Sequence, residues 1–183
     1  PWERMHIFWS DERCVPRDHP DSNYLLARTT FLDAVGIPEG HIHRMRGEDD
    51  PERAAEGYEA EVRHFFETAP GFQPRFDIVL LGMGEDGHTA SLFANAPDLK
   101  VEGRTVIASV KPGGWRRISL TLNALNAARH VVFLAAGAPK APMVARALGE
   151  PDPAVPAGLV RPHDGELYWL VDKAAARDAT RAD

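Results

Sequence analysis

The stretch at residues 76–93, FDIVLLGMGEDGHTASLF, decides the fold. Ile78, Val79, Leu80 and Leu81 make a continuous apolar run of the kind that a parallel sheet buries. The run meets Gly82, Gly84 and Gly87, which punctuate a tight turn presenting Asp86 and His88, and the pattern beyond them predicts a helix. An open α/β sheet keeps its ligand site at such a turn, because the carboxyl ends of its strands leave a crevice facing solvent. Chemistry is therefore expected first at Asp86 and His88.

Residues 82–87 spell G-x-G-x-x-G between a strand and an expected helix, which taken literally is a dinucleotide fingerprint. That reading fails on charge. Glu85 and Asp86 stand where a pyrophosphate would approach the backbone, and the acid that would bind a ribose about 20 residues on is replaced by the apolar run at 106–110. Acid–base chemistry suits the loop better. An imidazole titrates near neutral pH, and a carboxylate two residues away can fix its tautomer and orientation. The plain structural alternative is that Asp86 and His88 only cap the next helix.

Working outward, residues 5–9 read as a buried strand with Asp11, Glu12 and Arg13 on a second loop at its carboxyl end. Ser22 and Asn23 open a helix of about three to four turns that closes at Gly36. Residues 38–51 are polar and read as a surface loop. His41 and His43 suit a metal there only if they lie on a strand, and no Cys or carboxylate pattern completes a ligand set, so no metal site is expected. Pro51 starts a second helix running through Phe66, with Tyr58, Val62, Phe65 and Phe66 on one face.

Downstream, 101–110 and 115–122 flank Lys111, Pro112, Gly113 and Gly114 as a hairpin, which puts an antiparallel element in the sheet. Residues 130–136 are another buried strand, followed by a turn carrying Lys140 and a helix to Leu148, and 167–171 is a last strand. The expected fold class is α/β: a Rossmann-like open mixed, mostly parallel sheet with helices on both faces. Residues 1–183 read as a single domain. Arg13 and Lys140, each just after a strand, could meet an anionic substrate in a chain whose formal charge is −6.

That charge argues against a nucleic-acid partner, which needs a basic face. Cys14 stands alone and forms no internal disulfide, and no window of about 20 apolar residues offers a membrane span. A cytoplasmic setting is expected. The chain opens on Pro1 rather than Met, so further sequence is expected upstream.

The central LGMGEDGHTASLF, together with SDERCVP and SNY near the start, RRISLTLNALNAAR in the middle and GAPK later, closely resembles the 6-phosphogluconolactonase family. The related glucosamine-6-phosphate deaminases share the Gly-x-Gly-x-Asp-Gly-His core and then diverge. The resemblance implies hydrolysis of 6-phosphoglucono-δ-lactone to 6-phosphogluconate in the oxidative pentose phosphate pathway, with no metal or organic cofactor and a sugar-phosphate lactone as partner. It makes His88 the general base, Asp86 its orienting partner, and Arg13 and Lys140 contacts to the substrate phosphate. Asp11, Gly84, Gly87 and Arg117 also fall on family motifs as substrate-side positions, and a monomer or weak dimer is expected. The chain departs from the family twice: no Gly-Gly-Ser-Thr-Pro-like phosphate loop stands before Pro1, and Ala94 replaces a proline, implying a local loop change. A deaminase or isomerase, and a non-catalytic sugar-phosphate binder, are the alternatives carried forward.

Overall fold

The computed structural model describes residues 2–111 and 113–179. Of the apolar run at 5–9 only Ile7–Phe8 (β1) is strand, and Trp9 goes into the core. Asp11–Arg13 is not a loop but a strand of its own, β2, which corrects the expected placement of these residues. Alternation across a strand explains it: Glu12 points inward and is 2 % exposed, while Asp11 and Arg13 share the opposite face. The Glu12 carboxylate accepts from the N–H groups of Arg13 (2.8 Å), Asn23 (2.7 Å) and Tyr24 (2.8 Å) and from the Ser22 hydroxyl (3.0 Å). Four donors satisfy a charge that would otherwise be costly to bury.

The helix opened by Ser22 follows as expected. Ser22 accepts from the Leu25 N–H as N-cap of Asn23–Ala27 (α1), which continues through a wider turn over Arg28–Leu32 to Asp33–Val35 and ends at Gly36 with φ +70°. The segment expected as surface loop carries a short strand, Ile42–His43 (β3), pairing parallel with β1. This brings His6 Nδ1 within 3.0 Å of His43 Nε2, and His43 Nδ1 within 2.6 Å of Glu61 Oε1. Pro51–Phe65 (α2) is capped by Asp50, which accepts from the Arg53 N–H, and buries Ala54, Ala55, Tyr58 and Val62. Phe65, expected on the same buried face, is 38 % exposed.

Ile78–Gly82 (β4) lies beside His130–Ala135 (β7), and β7 beside Glu166–Val171 (β8), all parallel. Val79, Leu81, Val131 and Phe133 are buried on one face. Ile78, Leu80, Leu134 and Leu170 on the other are exposed, so among the described residues these strands are buried on one side only. The hairpin forms as Val106–Val110 (β5) and Arg116–Leu120 (β6), with β2 on the far edge of β6 in the order β2–β6–β5, all antiparallel. Leu122–Asn126 (α3), capped by Thr121, takes residues expected to end the hairpin strand. Ala141–Leu148 (α4) follows the Lys140 turn. The α/β class stands, but parallel and antiparallel pairing are not combined in one open sheet. The strands are divided into three small sheets, two of them parallel and one antiparallel.

One correction bears directly on function. No helix follows His88. Thr89 and Leu92 form an isolated bridge, Ala90 takes φ +46°, and the next helical turn is a 3-10 turn at Pro97–Lys100. The serine and threonine side chains here bond to backbone and to distant side chains, which competes with helix formation.

Candidate active site

The turn after β4 is built around Gly84. Its N–H donates to the His88 carbonyl at 2.9 Å, and its own carbonyl accepts from the Gly87 N–H at 3.0 Å. A Cβ at position 84 would lie 2.3 Å from His88 Nδ1 and 2.5 Å from Asp86 Oδ1, so only glycine leaves room for the two side chains to meet. Gly87 has φ +83° and faces Val155 and Met143, which locks the turn against α4 and the segment after it. The Ala157 N–H donates to the Gly87 carbonyl at 3.0 Å.

Asp86 and His88 do meet. His88 Nδ1 lies 2.5 Å from Asp86 Oδ1, which also accepts from the His88 backbone N–H at 3.2 Å. Burial works to raise the Asp86 pKa, but the hydrogen bonds and charge of His88 together outweigh it and hold the carboxyl below its ordinary value. An ionised carboxylate only accepts, so the contact assigns a proton to Nδ1, and in the neutral imidazole the lone pair is then on Nε2. The Phe93 ring packs 5.2 Å from the imidazole and is itself buried. The expectation that Asp86 and His88 merely cap a helix has no helix to cap.

The second half of the site lies on the outer face of β2–β6–β5. Cross-strand partners are Asp11 with Ser119 and Arg13 with Arg117, and the two-residue period places all four on one face. The two guanidiniums are therefore cross-strand neighbours. Burial, and next the charge of Arg13, lower the Arg117 pKa. Arg13 Nη1 donates to the Asp21 carbonyl at 2.7 Å, while the Nε atoms of both arginines are buried with no partner among the described residues. Paired cations with buried donors have the chemistry to receive an anion.

The His88 loop docks on this face through Ser91. Ser91 Oγ donates to Asp11 Oδ2 at 2.7 Å, and the Ser91 N–H donates to Ser119 Oγ at 3.1 Å. Asn23 Nδ2 donates to Asp11 Oδ1 at 3.2 Å, so each carboxylate oxygen accepts one hydrogen bond. Thr89 Oγ1 donates to the Gly82 carbonyl at 2.8 Å and closes the loop on itself. Lys140 ends the 3-10 turn Ala138–Lys140 after β7. Because β4 and β7 are parallel neighbours, this turn and the His88 turn emerge at the same end of the sheet.

The residues singled out from sequence thus fall into an imidazole–carboxylate pair, a paired-arginine face with Asp11, and a lysine turn at the same sheet end. Sequence reasoning missed Ser91, Ser119, Asn23 and Glu12. Ser119 was legible in RRISL as sharing a strand face with Arg117 by alternation; nothing local marks Ser91 as bonded to a residue 80 positions away. Surface concavities at His43, Glu61 and Phe65 and at Cys14, Gly47 and Trp115 are lined by neither His88 nor Asp86.

Comparison with known proteins gives a consistent picture. Residues 1–169 match the family described as glucosamine-6-phosphate isomerases/6-phosphogluconolactonase. A 6-phosphogluconolactonase of Synechocystis sp. is 47% identical over 185 residues, covering 97% of this chain and 75% of that protein. Among solved structures, a devB protein superposes with a TM-score of 0.90 at 35% identity, covering 98% of this chain and 76% of that one. The 6-phosphogluconolactonase from Trypanosoma cruzi superposes with a TM-score of 0.85 at 30% identity, covering 96% and 73%.

Proposed function

The chain belongs to the glucosamine-6-phosphate isomerase/6-phosphogluconolactonase family, and on that premise we propose how it acts as a lactonase, hydrolysing 6-phosphoglucono-δ-lactone to 6-phosphogluconate. The observation that carries the mechanism is the Asp86–His88 contact, which leaves His88 Nε2 free as a base. Nε2 takes a proton from water as the water oxygen bonds to the lactone carbonyl carbon. The resulting imidazolium is stabilised by Asp86. The tetrahedral intermediate then collapses, the bond from the carbonyl carbon to the ring oxygen breaks, and the imidazolium returns its proton to that oxygen. No covalent enzyme intermediate is required.

Arg13 and Arg117 supply charge for the phosphate of the substrate, and Lys140 adds a third cation from the neighbouring turn. The unspent Nε donors of the two arginines support this assignment. Asp11 is better read as a structural partner of these groups than as a phosphate contact, since a carboxylate repels phosphate. A cytoplasmic setting accords with the lone thiol Cys14, whose pKa burial pushes up to about 11.

A deaminase in this site would use a carboxylate to move a proton at carbon, and Asp11, which accepts from Ser91 and Asn23, is the group that reading would assign. The two activities separate in one experiment. Lactone consumption above the spontaneous rate is expected, with no ammonia released from glucosamine 6-phosphate. His88→Ala is expected to lower the lactonase rate by about 10²–10⁴-fold. Unchanged turnover in that variant would overturn the mechanism, and ammonia release would overturn the lactonase assignment.

A further inference from the structure

From His88 to Phe93 the backbone forms no helix; the Thr89–Leu92 bridge, the Gly84 N–H on the His88 carbonyl and the Thr89 hydroxyl on the Gly82 carbonyl tie it only to its own turn. A catalytic imidazole on such a segment needs some other constraint, because a base misplaced by about 1 Å forfeits up to 100-fold in rate. Ser91 is the residue in this segment that reaches across the molecule. It is fully buried, at 0 % exposure, and three of its groups are bonded to other elements. Its hydroxyl donates to Asp11 on β2, its N–H donates to Ser119 on β6, and its carbonyl lies 2.8 Å from the Ser109 hydroxyl on β5. Asp11 and Ser119 are themselves cross-strand partners, two residues along the ladder from the Arg13–Arg117 pair and on the same face.

We infer that Ser91 is a positioning residue: through Asp11 it fixes the His88 loop at a set distance from the paired arginines. The spacing it sets is that between the base and the anion that holds the substrate. Ser91 is placed as a brace and not as a nucleophile, since its side chain is fully buried and its hydroxyl hydrogen-bonds to Asp11. Asp11 serves both halves, for its charge acts on Arg117 while its other oxygen is braced by Asn23 from α1. A lost tether lets the base wander without disturbing the arginines. Its signature is a lower kcat with KM nearly unchanged.

This inference rests on the lactonase reading, and the experiment separates the two. Ser91→Ala is expected to lower kcat for the lactone by roughly tenfold to hundredfold, with KM moving less than about threefold. In an Asp11→Ala background the same substitution is expected to add less than about twofold, because both remove one hydrogen bond. Amide hydrogen exchange at Gly84 and Gly87 is expected to quicken in Ser91→Ala while the strands keep their protection. Ser91→Cys keeps the volume with a weaker donor; it is expected to fall between wild type and alanine and stands in should the alanine variant fail to fold. A wild-type kcat in Ser91→Ala, or full additivity with Asp11→Ala, would overturn the tether. A parent protein that leaves the lactone untouched overturns the lactonase reading instead, and the exchange rates at Gly84 and Gly87 then decide the tether alone.

Discussion

Gly84 shows how narrow the tolerance at the dyad is. The imidazole and carboxylate occupy the volume where a side chain at 84 would begin, with their nearest atoms 2.3 Å and 2.5 Å from an added Cβ. The backbone at Gly84 is not in the left-handed region, so Gly84→Ala introduces no torsional strain. Its damage should fall on the contact between Asp86 and His88. We expect Gly84→Ala to cut kcat by at least about 100-fold, comparable to losing the general base, while Tm stays close to wild type. Steady-state kinetics with a thermal melt checks this, and a fully active Gly84→Ala protein would show that the dyad does not act as described. The glycine pattern was legible in sequence, but its first meaning there was a phosphate cradle. Only the side-chain positions show that Gly84 is small for the sake of His88.

At the scale of elements, β2 is where reading along the chain and folding in space part company. Asp-Glu-Arg reads locally as a solvated triplet or a loop, because three charges in a row seldom make a strand. Pairing with β6 sends the middle acid inward, and the start of α1 then arrives with donors for it. Glu12 ties the helix to the sheet edge that carries Asp11 and Arg13. Removing it leaves buried donors on Arg13, Ser22, Asn23 and Tyr24 without an acceptor. Glu12→Ala should therefore cost about 3 kcal/mol or more, measured by urea unfolding. A loss under about 1 kcal/mol would mean that these donors find other partners. The long helices were read correctly for the opposite reason: the Ser22 cap, the Gly36 stop and the α2 periodicity are local signals, complete within a few turns. The run after His88 misled because HTASLF has no helix breaker, whereas Thr89 and Ser91 spend their hydroxyls elsewhere.

Over the whole molecule, the site gathers groups from strands far apart in sequence, and a ligand that bridges them should stabilise the entire fold. Arg13 and Arg117 stand side by side with the Arg117 pKa lowered by burial and by its neighbour, so an anion between them relieves repulsion. Product 6-phosphogluconate at 100 times its Kd is expected to add about 2.7 kcal/mol of stability, seen as a rise in Tm. Arg117→Leu should abolish most of that rise without removing the Asp86–His88 contact. A Tm indifferent to millimolar 6-phosphogluconate would count against the paired-arginine site. The amino-acid sequence by itself determined the α/β class, the strand entering the glycine turn, and the identity of the imidazole and its carboxylate. These rest on interactions between residues close in the chain, where spacing is information. The tertiary structure alone decided that Glu12 is buried, that Arg13 faces Arg117, and that Ser91 reaches Asp11. Those contacts depend on which strands pair and in what register, a relation between segments distant in the chain.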